Sequence, residues 1–187
     1  MGADERRRPA RLAGRGWSVL LIIGLGLALQ AGPAGAGEKI LAQLPLDKVE
    51  SLATVLALDS EITAEGKSAV KIISPGPASI CLGLIENLQV EDAGQAYKLV
   101  YQAQVRARDL KGNAFLEMWC FFGSDGPYFS RGLNSYITGT TDWTTLTTPF
   151  FLQPGQTPTR ITLNLYVNGS GTLWVDDIRL IKAAPSP

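Results

Sequence analysis

The chain has 187 residues, 45% of them hydrophobic and 18% charged, and no histidine. This apolar share belongs to folded domains and excludes disordered or collagen-like chains, and the balance of 17 basic against 17 acidic residues argues against nucleic acid as a partner. Without imidazole there is no Ser-His-Asp triad, no Cys-His pair and no His-containing zinc or iron site, which leaves carboxylate, lysine or calcium chemistry, or binding alone.

Residues 1–36 read as an export signal. Arg6, Arg7, Arg8, Arg11 and Arg15 form a basic start, residues 17–31 are uncharged and rich in Leu, Ile, Ala and Gly, and Ala34-Gly35-Ala36 offers the small residues of a cleavage site before Gly37. The competing reading is an uncleaved signal-anchor helix, since residues 16–36 carry no charge and a spanning helix needs about 20 residues. In both readings the domain is exported, secreted or periplasmic or envelope-associated, and membrane contact is confined to residues 17–36 of an uncleaved chain. Beyond the signal the balance is mildly acidic.

Residues 37–53 form a lead-in segment in which Asp47 and Glu50 suit either a helical turn or a loop. Residues 54–183 then read as an all-β domain, with residues 184–187 as a tail. Short apolar or alternating runs at 55–60, 68–73, 80–88, 97–108, 115–122, 128–132, 144–152, 160–168 and 172–181 are separated by Gly, Pro, Asn and Asp. The connectors include Gly112-Asn113, the stretch 139–142 and Asn168-Gly169-Ser170-Gly171, each with the chemistry of a tight reversal. Eight or nine strands in so short a domain predict a two-sheet antiparallel β-sandwich, a jelly roll, rather than one open sheet with a wet apolar face.

Alternation assigns faces to three of these runs. Leu116, Met118, Cys120 and Phe122 form the core side of one strand, and Phe115, Glu117, Trp119 and Phe121 the outer side. Ile161, Leu163, Leu165 and Val167 point inward from another, with Thr162, Asn164, Tyr166 and Asn168 outward. Leu99, Tyr101, Ala103 and Val105 line the inside of a third. Cys81 and Cys120 fit either a disulfide, as export permits, or two buried thiols acting as small apolar residues.

The ending Gly171-Thr172-Leu173-Trp174-Val175-Asp176-Asp177-Ile178-Arg179-Leu180 resembles the last strand of carbohydrate-binding modules with the galactose-binding-like jelly roll. Asp59-Ser60-Glu61 with Gly66-Lys67-Ser68-Ala69-Val70-Lys71-Ile72 resembles their early strand pair. Tyr97-Lys98-Leu99-Val100-Tyr101 resembles the central strand, and Gly139-Thr140-Thr141-Asp142-Trp143 the entry to the strand after the variable loops. The resemblance spans roughly residues 54–182, and a closer similarity to small exported bacterial proteins of unassigned role would fit a chain with no catalytic domain attached. It implies a fold more than a function, because such folds carry many functions. It also implies a structural calcium ion held by Asp176 with Asp59 or Glu61, backbone carbonyls supplying most of the oxygens.

The expected function is a non-catalytic binding module for carbohydrate or a cell-envelope polymer. Glu117, Trp119, Phe121, Asn164 and Tyr166 share one outer surface if their strands are neighbours, with Tyr128, Arg131 and Tyr136 extending it from adjoining loops. Rings stack on the apolar faces of sugars while carboxylate and amide groups take the hydroxyls. The alternative is a structural or protein-interaction sandwich in an envelope assembly, with those aromatics in a core or interface. A third arrangement pairs Glu117 with Asp125 as acid and base of a glycoside hydrolase, which needs carboxyl groups about 5 to 9 Å apart across a cleft. Asn168-Gly169-Ser170 matches a glycosylation sequon, although an Asn-Gly hairpin turn accounts for the same residues.

Overall fold

The computed structural model describes residues 18–20, 38–44 and 56–185. Its strands are β1 (Ser18–Leu20), β2 (Lys39–Leu44), β3 (Leu56–Asp59), β4 (Ala69–Ser74), β5 (Ala78–Glu86), β6 (Tyr97–Phe122), β7 (Asp125–Leu152) and β8 (Arg160–Ala183). No helix occurs among the described residues. The export signal and the turn or loop at Asp47 lie outside them, except that Ser18 to Leu20 pair in parallel with Ser79 to Cys81 of β5. β2 lies in the lead-in segment, where sequence periodicity indicated no strand.

β8 organises the sheet. Along its whole length it pairs antiparallel with β6, whose far side carries β7. Its other edge is shared in turn by β5 at residues 160–167, β4 at 171–175 and β2 at 178–182, and β3 lies outside β4.

This ribbon folds back on itself. Leu99, Tyr101, Ala103 and Val105 near one end of β6 and Leu116, Met118 and Cys120 near the other are all completely buried and join one core cluster. With no helix to cover them, each half of the ribbon covers the other. Leu44 of β2, paired to the second half of β8, packs so closely over Gly83 of β5, paired to the first half, that a Cβ at Gly83 would lie 2.5 Å from its Cδ1. At the β7 edge the layers meet directly: the Ser130 and Thr148 hydroxyls lie 2.7 Å apart, and the Thr147 amide donates to Ser135 Oγ over 3.0 Å.

The fold-back lies where the sequence suggested reversals. Gly112-Asn113 and Asn168-Gly169-Ser170-Gly171 are bends within continuous strands rather than connections between them. The Asn168-Gly169 hairpin is therefore replaced by a ladder running on through Gly112 opposite Gly169. Gly112 and Gly169 have φ of 106° and 151°, and a Cβ on either would run into a carbonyl oxygen of the other strand, Asn168 O or Lys111 O. Only glycine lets the two backbones approach this closely. The runs 97–108 and 115–122 are therefore one strand, as are 160–168 and 172–181, and the runs 128–132 and 144–152 both belong to β7.

The inner faces follow the alternation. Ile161, Leu163, Leu165 and Val167 are wholly buried beside Leu116, Met118 and Cys120. Cys81 and Cys120 are buried thiols, Cys81 donating to Gly83 O over 3.4 Å, and burial pushes the Cys120 thiol up to about 12. The Tyr101 hydroxyl is buried without a hydrogen-bond partner, and burial raises its pKa.

Candidate functional site

The first half of the folded ribbon, in the order β5, β8, β6, β7, carries the outer surface anticipated from the alternation. Directly opposed residues of an antiparallel ladder point to the same side, so the register defines cross-strand rows. Ser79, Tyr166, Phe115 and Tyr136 make one row, and Cys81, Asn164, Glu117 and Arg131 the next. Leu84, Thr162, Trp119 and Phe129 form a third, and Glu86, Arg160 and Phe121 a fourth. Two ring-bearing rows thus flank a polar one, at a spacing of about 7 Å per two residues.

The polar row is built around Glu117, which is only 3% exposed. Its Oε2 accepts from Arg131 Nε over 2.6 Å, and its Oε1 from Trp119 Nε1 over 2.7 Å and more weakly from Asn164 Nδ2 over 3.4 Å. A buried carboxylate needs such partners to offset its desolvation. Three strands are tied together here, and the indole and guanidinium are fixed in orientation.

The rings are ordered around this centre. Trp119 and Phe129 lie with centroids 4.9 Å apart, and Phe115 stacks on Tyr166 at 5.1 Å. The Arg131 guanidinium sits 4.7 Å from the Phe129 centroid and 5.9 Å from that of Tyr166, and Arg160 lies 3.9 Å from that of Phe121. Trp119, Phe121 and Tyr166 are half-buried, whereas Phe129 and Tyr136 are 51% and 53% exposed. At the end of the surface an open recess is lined by Glu86, Asn87, Phe121, Gly123, Thr159 and Arg160.

Glu117, Trp119, Phe121, Asn164, Tyr166 and Arg131 therefore come together as expected, with Tyr136 at the rim. Tyr128 does not join them. It stands opposite the core-facing Cys120, its ring packs edge-on against Phe122 and its hydroxyl donates to Asp125. Phe129 takes the place assigned to Tyr128, and alternation with Arg131 two residues on was the signal for it. Asp125 is opposite Phe122, five residues along β6 from Glu117, or about 17 Å of strand. That separation does not suit an acid–base pair on one glycosidic bond.

A second polar cluster gathers the residues expected to hold calcium. Asp176 Oδ2 accepts from the Ala64 and Glu65 amides, both over 2.8 Å, and its Oδ1 from the Asp177 amide. Asp59 Oδ2 accepts from Trp174 Nε1 over 2.9 Å and its Oδ1 from the Glu61 and Ile62 amides. The Trp174 indole is the main reason that the Asp59 pKa lies below its ordinary value of 3.8. Asp177 Oδ1 accepts from Gln43 and Arg179. Both Asp176 oxygens and both Asp59 oxygens thus face N–H donors, and among the described residues no group of three or more Asp, Glu, Cys or His side chains is placed to hold a metal. This arrangement does not fit a cation: the N–H groups already do the work of tying the 60–66 loop to the last strand.

The described residues thus form an all-β, largely antiparallel folded-back sheet with a ring-bearing outer face on one layer. No protein-family model and no curated protein matches the chain. Among solved structures, those similar to the chain include carbohydrate-binding modules. They include the CBM22-1 xylan-binding domain from Paenibacillus barcinonensis Xyn10C, at 13% identity and a TM-score of 0.49, covering 82% of this chain and 100% of that domain. Another is the module from Cellvibrio mixtus lichenase 5A in complex with cellotriose, at 13% identity and a TM-score of 0.42, covering 76% and 97%. A family 16 carbohydrate-binding module has 12% identity and a TM-score of 0.44, covering 67% and 84%.

Proposed function

We propose that the outer face of β5, β8, β6 and the first half of β7 is a saccharide-binding surface, and that the protein is an exported, non-catalytic module for carbohydrate or a cell-envelope polymer. The observation that supports this reading is the Glu117 row with ring-bearing rows on both sides. A half-buried indole and exposed phenyl and phenol rings supply stacking area, and the Glu117 network holds them in place before a ligand arrives. A broad open surface of this kind suits a polymer better than a small enclosed molecule. The Arg-rich start and the uncharged stretch that follows support export. Calcium has no step in this reading.

Affinity electrophoresis through gels containing plant and bacterial polysaccharides tests the proposal. Retardation of the wild type by at least one polymer is expected, with Trp119→Ala weakening it at least tenfold. Failure to bind any polysaccharide would favour the rival interaction module, in which the same rings meet a protein partner.

A further inference from the structure

We infer that the surface selects anionic saccharides, specifically polymers carrying carboxylate groups; this rests on the saccharide-binding reading above. A neutral sugar stacks on a bare aromatic face, yet Arg160 lies 3.9 Å from the Phe121 centroid and Arg131 4.7 Å from that of Phe129. Guanidinium groups thus share the faces of these rings.

Their charges are available to different degrees. Arg131 uses Nε on Glu117, and its side chain is 39% exposed. Arg160 has no acidic partner among the described residues, although Glu86 stands directly opposite it across the ladder. A guanidinium held on a ring keeps its planar fork of donors and matches a carboxylate in two-point geometry. The recess beside Phe121 and Gly123 gives one sugar residue room to bring its carboxylate to Arg160. Glu86, which also lines that recess and stands opposite Arg160, carries a like charge that opposes the anion.

The sign of the Glu86 effect separates this inference from a neutral-sugar site. Binding is measured by affinity electrophoresis and isothermal titration with polygalacturonate, alginate and hyaluronan, and with neutral xylan and hydroxyethylcellulose, at low and high salt. The expected result is at least tenfold tighter binding to one or more of the acidic polymers, weakening with salt as charge attraction is screened. Arg160→Gln should then lose about tenfold, and Glu86→Gln gain a few-fold because an opposing charge is gone. Equal or tighter binding to neutral polymers, with Arg160→Gln unchanged and Glu86→Gln weaker, overturns the inference and leaves the saccharide surface standing. Acidic binding that is indifferent to Arg160→Gln also overturns it, since the attraction then comes from another face. Binding to no polymer overturns both readings.

Discussion

Two buried carboxylates, Glu117 and Asp176, occupy the two layers of the sandwich and do different work with the same chemistry. Glu117 is held by side chains from its own strand and both neighbours, namely Trp119, Asn164 and Arg131. Asp176 is held by backbone amides, two of them from the 60–66 loop. The Asp176 cluster is closed, because Asp176 is 4% exposed and both its oxygens accept from backbone amides. The Glu117 cluster is open on one side, where rings and guanidinium nitrogens remain exposed. A buried acid bound by amides fastens a loop, whereas one bound by ring and guanidinium donors sets out a surface.

Asp176→Ala sharpens this contrast most. It leaves the Ala64, Glu65 and Asp177 amides without their acceptor and should cost about 3 kcal/mol in urea unfolding, with polysaccharide affinity unchanged within twofold. Glu117→Gln should cost about 2 kcal/mol, as Arg131 loses its counter-charge, and should also weaken binding, which the first variant does not. Acid provides a smaller test. Since the Asp59 pKa is lowered on folding, its contribution is present above about pH 4 and disappears as the pH falls through the lowered value. Trp174 fluorescence followed from pH 5 to pH 2 should report this loss, and Asp59→Asn should remove that part of the pH dependence. The smallest effect expected is from Tyr101→Phe, which deletes a buried hydroxyl without a partner and should leave the unfolding free energy equal or raised by up to about 1 kcal/mol.

Much of this was legible in the residues. The alternation over 115–122 and 160–168 placed Leu116, Met118, Ile161 and Leu163 inside and Glu117, Trp119 and Tyr166 outside, because strand pleat depends only on parity. The bends were not legible. Gly112 and Gly169 carry the chemistry of reversals, and only their close approach across the ladder shows that the chain continues. The Glu117–Arg131 pair depends on the β6–β7 register, which shifts between Phe115 and Glu117, and such a bulge leaves no periodic trace. Likewise, the acceptor role of Asp176 depends on where the 60–66 loop lies, which spacing along the chain does not determine.

The most direct measurement is a two-dimensional NMR titration of the isotope-labelled protein with an oligosaccharide taken from whichever polymer binds best. The account predicts that the Trp119 indole N–H and the Arg131 and Arg160 Nε–H signals shift together and saturate, while the Trp174 indole N–H stays in place. Shifts centred on Trp174 and the 60–66 loop, with Trp119 unmoved, would contradict it.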